Sequence, residues 1–400
     1  MDQINKNKIV IFGAGKIGRS FIGQLFSLGG YEVVFIDINK ALIEELVRRG
    51  RYPVIVKSVK DETIWVNNVR GVSSDDHLKV AGEIASAGIM SVSAGLSNLH
   101  GIIPLIAYGL IKRYELFPNE PLDIIIAENM RDASAYFRSS LTGYLPGDYP
   151  VDRLMGLVET SIGKMVPIML KRDTEADILQ IFAEPYNTLI LDKKAFKNPI
   201  PSIDGLAPKD NMKAWVDRKL YIHNLGHASA AYIGYLETPE FIYLYEVLAR
   251  KKIFIAVRET MMEAARILLK IYPEEFTSVS LRDHIDDLLE RFQNRALGDT
   301  IFRVGCDLRR KLGKDDRLAG AIRLGFELGL PYSRILYALV CATHFRAADE
   351  NGMMLPDDKE FEEVYSRGID SVLTEICGFN TFDHKDIFMK ASEIDQSIKI

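Results

Sequence analysis

The chain has 400 residues, 48% hydrophobic and 26% charged, a globular composition that is long enough for two domains. Its formal net charge is −5 without a basic block, which excludes a broad cationic surface for nucleic acid or anionic membranes. No secretory signal is visible, no apolar run reaches the ~20 residues of a membrane helix, and three cysteines lack CxxC spacing. We therefore expect a cytoplasmic protein with reduced thiols.

Short apolar runs alternate with helical patterns through the first half of the chain. The runs predicted as strands lie at 8–12, 32–36, 88–92 and 122–126. Helical patterns between them, at 38–49 and 101–116, predict an α/β fold: a Rossmann-type, doubly wound parallel sheet with helices on both faces. Apolar runs between 151 and 192 predict further strands.

The second half of the chain has a different pattern. The Pro-rich segment 198–210 predicts a linker, and 3.6-residue periodicity follows it. The predicted helices lie at 211–236, 245–271, 280–293 and 331–349. The sequence thus predicts a sheet domain over residues 1–198 and a largely α-helical domain over 199–400.

A glycine pattern follows the first predicted strand and opens a helix. Gly13, Gly15 and Gly18 have the G-x-G-x-x-G spacing of a dinucleotide site. The first glycine permits a tight turn, the second lets the pyrophosphate approach the backbone, and the third lets the helix pack on the strand. Helix N–H groups then bind the phosphates. We expect cofactor contacts from Gly13, Ala14, Gly15, Lys16, Ile17, Gly18 and Arg19.

Residues after the other strands complete the predicted dinucleotide site. Asp37 ends the second strand, where a carboxylate accepts hydrogen bonds from ribose hydroxyls and repels a 2′-phosphate, which predicts NAD. Ser93 and Ala94 either let the cofactor pass the strand ends or form an ordinary loop. Arg19 either neutralises phosphate charge or lies on a solvated helix face.

The segment 218–227, RKLYIHNLGH, is the densest polar cluster of the helical half. At ~100° per residue, its Lys219, His223, Asn224 and His227 fall within about 140° of one helix. A lysine, an amide and imidazoles suit alcohol oxidation, which needs a base and donors for the developing alkoxide. A solvated helix face is the alternative. The His pair also has zinc-ligand spacing, but without a third ligand we expect no metal.

Further cations could bind an anionic substrate. Arg309, Arg310 and Lys311 form a local cluster that holds a phosphate or is a solvated turn. His344 and Arg346 close an apolar helical pattern, where they line the site or cap the helix end.

Several stretches resemble, in order along the chain, the polyol-specific long-chain dehydrogenase/reductase family, in its mannitol-1-phosphate 5-dehydrogenase branch. They are FGAGKIGRSFIG (12–23), AENM (127–130), RKLYIHNLGHASAAYIG (218–234), RRKL…DRL (309–318) and HFR (344–346). The specific signal is Lys-x4-Asn-x2-His, here Lys219, Asn224 and His227. The resemblance implies a metal-independent NAD enzyme with a Rossmann-type domain, a helical domain and the active site between the two domains.

The resemblance also implies a role for each matching residue. Lys219 is the general base, Asn129 and Asn224 form an oxyanion hole, and His227 positions the substrate. The implied reaction interconverts D-mannitol 1-phosphate and D-fructose 6-phosphate.

One departure from the family concerns the lysine's surroundings. Gly163-Lys164 stands where the family has Asp-Arg, so an acidic neighbour of the lysine is missing or is replaced by Glu159.

Other functions remain open at this stage. One is a hexuronate reductase acting on tagaturonate or fructuronate, and another is a mannitol or arabitol dehydrogenase acting on unphosphorylated polyol. A non-catalytic NAD-binding redox sensor would need neither the lysine nor the two asparagines. The expected partner is a small polyol or sugar phosphate, and both a monomer and a dimer are consistent with the sequence.

Overall fold

The computed structural model describes residues 3–58 and 60–398, and it divides into two compact units. One comprises the chain up to Trp215, and the other begins at Val216. The first is a Rossmann-type sheet unit and the second is helical, which confirms the predicted fold class. The predicted boundary at 198/199 precedes this division.

The first unit contains an eight-stranded and a three-stranded sheet. In chain order its strands are β1 Asn5–Phe12, β2 Glu32–Asp37, β3 Arg51–Val56, β4 Glu62–Asn67, β5 Val69–Ser73, β6 Ala87–Val92, β7 Leu122–Ile126, β8 Met155–Ser161, β9 Ile181–Ala183, β10 Leu189–Asp192 and β11 Leu206–Lys209. The large sheet has the order β11-β10-β8-β7-β6-β1-β2-β5, and every neighbouring pair is parallel except β8 and β10. The small sheet has the order β4-β3-β9.

Helices cover both faces of the large sheet. They are α1 Gln24–Leu28, α2 Lys40–Arg49, α3 His77–Ala85, α4 Leu99–Leu116, α5 Ala133–Thr142, α6 Val151–Leu154 and α7 Lys171–Ala176. Successive residues of β1 enter opposite cores: Val10 and Phe12 pack with α3, α4 and α5, whereas Ile9 and Ile11 pack with α1, α2 and the small sheet. Because both faces of β1 are buried, its sequence is a continuous apolar run.

The second unit consists of helices. With α8, which crosses the division, they are α8 Met212–Arg218, α9 Leu225–Glu237, α10 Leu244–Leu248, α11 Lys251–Ile271, α12 Ser278–Phe292, α13 Ile301–Gly305, α14 Leu308–Lys311, α15 Ala319–Glu327, α16 Ser333–Thr343, α17 Pro356–Ser366, α18 Ile369–Glu375 and α19 Lys385–Ile398. The apolar helix α9 is the centre, packed against α10, α11, α13 and α16. Among residues 3–58 and 60–398, no helix combines the length and apolarity needed to cross a membrane.

Four sequence-based predictions are wrong. The predicted helix at 245–271 is two helices, because α10 ends at Leu248 and α11 begins at Lys251. The predicted linker contains β11, which pairs with β10 at the edge of the large sheet, where a strand tolerates Pro208. The predicted helix at 211–236 is interrupted by a π-helical turn, Lys219–Asn224. The predicted helix at 331–349 ends at Thr343, where His344 is its C-cap residue.

A buried guanidinium ties α4 to the sheet. Arg113 is 3% exposed, and its guanidinium donates hydrogen bonds only to backbone carbonyls. The acceptors are Glu120 O at 3.0 Å, Ala85 O at 2.9 Å, Ala87 O at 2.7 Å and Pro121 O at 3.0 Å. These carbonyls lie at the end of α3, at the first residue of β6 and just before β7, so the side chain connects the starts of both strands to the helix.

We predict that Arg113→Met lowers the free energy of unfolding by about 3 kcal/mol, because buried carbonyls lose charged donors. Urea denaturation measures the change. The neighbouring substitution Lys112→Met is the control, and we expect it to change stability by less than about 0.5 kcal/mol. Equal losses in both variants would contradict the assigned role.

Candidate active site

The first glycine of the motif makes a turn that a side chain would obstruct. Gly13 has φ +95°, and its N–H donates to Ile36 O at 2.9 Å. A Cβ atom here would lie 2.5 Å from Ser93 O on the adjacent strand end. The turn therefore needs glycine for its backbone angle and for its close packing against β6.

Asp37 braces this turn from the end of β2. Its Oδ2 accepts the Ala14 N–H at 2.7 Å, and its Oδ1 accepts the Asn39 N–H at 2.9 Å. The carboxylate thus shapes the glycine turn before any ligand is bound. Each oxygen retains a further lone pair for a ribose hydroxyl.

A cavity of about 460 Å³ opens at these strand ends. It lies where β1 has β2 on one side and β6 on the other, the switch point at which open α/β sheets bind ligands. Its lining residues are Phe12, Gly13, Gly15, Ile36, Asp37, Ile38, Ser74, Asp75, His77, Ser93, Ala94, Asn98, His100, Gly101, Ile102 and Leu105. Gly13, Gly15, Asp37, Ser93 and Ala94 are thus brought together as expected.

The remaining motif residues occupy different environments. Lys16 is exposed, Ile17 packs on the α1/α2 side of the sheet, and Gly18 lies buried against the Gly13 carbonyl. Arg19 is 8% exposed, with Nε donating to Ala14 O at 2.7 Å and Nη1 to Leu179 O at 2.6 Å.

The Arg19 side chain therefore links the glycine turn to residues 178–179 through hydrogen bonds. The alternative prediction, that Arg19 lies on a solvated helix face, is wrong. Burial lowers the pKa of this guanidinium.

Sequence-based prediction missed a buried carboxylate, Glu128, directly before the predicted oxyanion residue Asn129. Glu128 is 8% exposed, and its Oε1 accepts the Gly95 N–H at 3.0 Å, next to Ser93 and Ala94. Burial raises its pKa, against the opposing effect of the Gly95 and Ala94 N–H groups. Asn129 follows on the exposed surface after β7. The AENM stretch carried this signal, but only its asparagine was selected.

In the second unit, Lys219 and Asn224 begin and end the π-helical turn. The Leu225 N–H donates to Leu220 O, an i→i+5 bond that widens the turn. A wider turn holds more residues than an α-helical turn, so residues five apart are separated by less than the about 140° of α-helical spacing. The assumed α-helical geometry was wrong, and the actual turn brings this lysine and amide closer on one face.

Lys219 is partly buried, and its ammonium is electrostatically disfavoured. Burial first, and then the positive charge of Arg317, lower its pKa to about 8. A lysine with this pKa is deprotonated in roughly a tenth of the molecules at about pH 7 and in about half of them near pH 8, and the neutral form can accept a proton. Arg317 was missed as a site residue; its Nε donates to Asp316 Oδ1 at 2.7 Å, and only the DRL stretch pointed to it.

His227 lies one α-helical turn after His223 and is held between two partners. Its ring stacks on Phe292 with centroids 4.7 Å apart, and its Nε2 is 2.9 Å from Asp299 Oδ2. Burial, with Arg303 as the strongest cation nearby, lowers the pKa of His227 to about 3. These effects favour the neutral imidazole, and Arg303 offsets the opposing charge of the Asp299 carboxylate by pairing with it. His223 is buried and packs edge-on against the same phenylalanine.

The predicted cationic cluster is divided by its contacts. Exposed Arg309 pairs with Glu360, and Arg310 pairs with Asp307 and Asp316. Lys311 instead is 7% exposed and donates to Val304 O at 2.7 Å and to Cys306 O.

Lys311 is thus the member of this cluster that faces the interior. Burial lowers its pKa to about 8, and its positive charge acts on His227.

His344 and Arg346 lie in a separate network. His344 Nε2 is 2.8 Å from Asp395 Oδ1 and 3.0 Å from the Tyr365 hydroxyl. Arg346 pairs with Glu362 and donates to Thr343 O and Phe345 O. These contacts join α16 to α17 and α19, and they engage both side chains within the helical unit.

The departure from the family pattern has a structural counterpart. Gly163 packs against the Tyr186 ring, and Lys164 Nζ donates to Asn187 Oδ1 at 2.8 Å. Glu159 Oε1 accepts the Ser134 N–H at 2.8 Å at the start of α5. Within residues 3–58 and 60–398, no three His, Cys, Asp or Glu side chains are grouped as a metal site.

Comparison with known proteins gives matches to both units. The profile of the mannitol dehydrogenase Rossmann domain matches residues 7–205, and that of the mannitol dehydrogenase C-terminal domain matches residues 211–378. A substrate-free D-sorbitol dehydrogenase structure is 15% identical, with TM-score 0.83 over 100% of this chain and 94% of that one. Pseudomonas fluorescens mannitol 2-dehydrogenase, solved with NAD and D-mannitol, is 15% identical, with TM-score 0.74. The match covers 100% of this chain and 92% of that one. At this identity, both structures show a common fold.

We predict that two alanine substitutions in the glycine motif affect different properties, one the stability of the protein and the other its affinity for NADH. Gly13→Ala should lower stability by about 1–3 kcal/mol, because its backbone angle and packing exclude a side chain. Gly15→Ala should keep its stability, since nothing lies within 4 Å of the added methyl, yet weaken NADH binding at least tenfold. Thermal unfolding and NADH fluorescence titration measure the two effects. Unchanged NADH affinity in Gly15→Ala would contradict pyrophosphate binding at this turn.

Proposed function

The chain belongs to the mannitol dehydrogenase family, and on this premise we propose that it is an NAD-dependent dehydrogenase of a polyol phosphate. The proposed reaction interconverts D-mannitol 1-phosphate and D-fructose 6-phosphate. The observation that carries the proposal is Lys219, a partly buried lysine of pKa about 8 on the same π-helical turn as Asn224. A redox sensor would not need this arrangement.

The glycine turn and its cavity fit a dinucleotide. The N–H groups that follow Ala14 would bind the pyrophosphate, because the Ala14 N–H itself donates to Asp37. Asp37 would accept the adenosine ribose hydroxyls with its remaining lone pairs. Exposed Ile38 and buried Ile102 line the same cavity and offer apolar contacts for the adenine. NAD, when bound, supplies the acceptor for the hydride released by the alcohol carbon.

The residues of the second unit handle the proton and the oxygen. Lys219 in its neutral form accepts the hydroxyl proton at Nζ, and it returns that proton in the reverse direction. Asn224 donates its amide N–H to the oxygen as negative charge develops. Asn129, which belongs to the first unit, stays a proposed oxyanion donor on the family resemblance alone. Neutral His227 is proposed to orient the substrate.

A phosphate group on the substrate would need cationic side chains to bind it. The candidates are the cations whose charge lowers the pKa of His227. They are Arg303, Lys311 and Arg317. Lys311 uses two N–H groups for backbone carbonyls and retains a third.

The second candidate is oxidation of an unphosphorylated polyol. The engagement of Arg309, Arg310 and Arg346 by carboxylates and carbonyls favours it.

We predict that kcat/KM with NAD is at least a hundredfold higher for mannitol 1-phosphate than for mannitol, because a charged contact contributes about 1.5–3 kcal/mol and more than one cation is available. Lys311→Met should raise KM for the phosphate ester about tenfold. Arg309→Met, the matched control, should leave this KM nearly unchanged. Prolonged chelation should leave turnover intact.

Equal efficiency for both alcohols would support the unphosphorylated substrate instead. Turnover of tagaturonate or fructuronate alone would support a hexuronate reductase. Activity lost on chelation and restored by zinc would contradict the lysine mechanism.

We predict preference for NAD over NADP, because the 2′-phosphate would meet the Asp37 carboxylate. Asp37→Asn removes the charge but keeps an oxygen for the Ala14 N–H. This variant should raise kcat/KM with NADP while its stability changes little. Steady-state kinetics with both cofactors tests the idea, and comparable wild-type efficiency with NAD and NADP would refute it.

We predict that alcohol oxidation increases with pH through an ionisation near 8, because the base must lose its proton before it can act. Lys219→Ala should lose about 10²–10⁴-fold in kcat and still bind NADH. Lys213→Ala, at an exposed lysine on α8, is the control. Near-normal kcat and an unchanged pH profile in Lys219→Ala would assign the base elsewhere.

A further inference from the structure

The ring of His227 is held in one orientation by two contacts. Phe292 stacks against its face, with an angle of 25° between the ring planes. The carboxylate of Asp299 faces its edge, with Oδ2 at 2.9 Å from Nε2. Stacking sets the plane of the ring, and the polar contact sets its rotation within that plane.

The carboxylate itself is rigidly placed. Asp299 is 3% exposed, and its other oxygen, Oδ1, pairs with Arg303 one helical turn later. Its backbone is anchored because the Leu244 N–H donates to Asp299 O at 2.9 Å and the Ile301 N–H donates to Ile242 O at 2.8 Å. The guanidinium balances the buried negative charge, so the ring need not become cationic.

These contacts select one tautomer of a neutral imidazole. A carboxylate only accepts hydrogen bonds, so the ring nitrogen facing Asp299 must carry the proton. The other nitrogen, Nδ1, then bears the lone pair. A neutral ring with this tautomer accepts a hydrogen bond at Nδ1, as a substrate hydroxyl requires for orientation.

We propose that Asp299 is a positioning residue that holds His227 as the Nε2–H tautomer, so that Nδ1 accepts a hydrogen bond from a polyol hydroxyl. The inference rests on the proposed dehydrogenase function for its consequence in catalysis. Asp299 acts through the imidazole and touches no reacting atom.

Replacing the carboxylate by an amide separates this role from a structural one. In Asp299→Asn, Arg303 retains the oxygen Oδ1, and the amide N–H₂ group faces Nε2. The amide then donates, so the ring proton must move to Nδ1. Asp299→Glu retains a carboxylate and should restore the original tautomer at least in part.

Two-bond ¹H–¹⁵N correlation spectra of the full chain labelled at histidine report the tautomer without turnover. His227→Gln assigns the resonance among the seven histidines. We expect Nε2–H in the wild type and Nδ1–H in Asp299→Asn, with the His344 signals of the separate His344–Asp395 pair unchanged. Glu263→Gln, a buried carboxylate that caps α16, is the matched control and should leave the His227 signals unchanged.

Kinetics then test the consequence. Asp299→Asn should raise KM for the polyol about tenfold with a smaller change in kcat and in NADH affinity, and Asp299→Glu should recover part of the loss. An Nδ1–H or charged ring in the wild type would overturn the proposal, even if Asp299→Asn fails to fold. An unchanged tautomer and KM in folded Asp299→Asn would also overturn it. Wild-type protein with the expected tautomer but no turnover of any polyol would contradict the proposed function alone.

Discussion

The removal of the Lys219 ammonium from water is the interaction on which the proposed chemistry depends. An exposed lysine would remain protonated and could not accept a proton near neutral pH. Partial burial in the helical unit and the charge of Arg317 together lower its pKa to about 8. The same cation-rich surroundings favour the neutral form of His227 over the opposing charge of Asp299, so one environment suits two basic side chains to different tasks.

The predicted dinucleotide site depends on a different constraint, the close approach of one backbone segment to another. Gly13 can pack beside Ser93 only because it has no side chain. Asp37 accepts the N–H of Ala14, and Arg19 donates to its carbonyl. A charged residue in such a motif is easily assigned to the ligand. Here Arg19 uses its charge on backbone carbonyls, which stabilises the shape that the phosphates would meet.

Charge near a site does not by itself indicate a ligand contact. Arg310 and Arg346 carry the charge that an anionic substrate needs, yet carboxylates and carbonyls already occupy them. The cations that influence His227 come instead from short helices and turns, Arg303, Lys311 and Arg317. Within this set Lys311 is buried whereas Arg303 is half exposed, so Lys311 has the greater effect on a bound charge because less water screens it.

The sequence by itself determined the alternation of strands and helices, the glycine turn with Asp37, and the Lys-x4-Asn-x2-His cluster, because these depend on residues close in the chain. Only the tertiary structure decided what depends on distant partners. The π-helical turn that begins at Lys219 and ends at Asn224 differs from the α-helix that the sequence pattern predicts, and Asp299 contacts His227 from 72 residues further along the chain. Burial, which sets each pKa and separates clamps such as Arg19 from ligand contacts, exists only once the helices and sheets have packed.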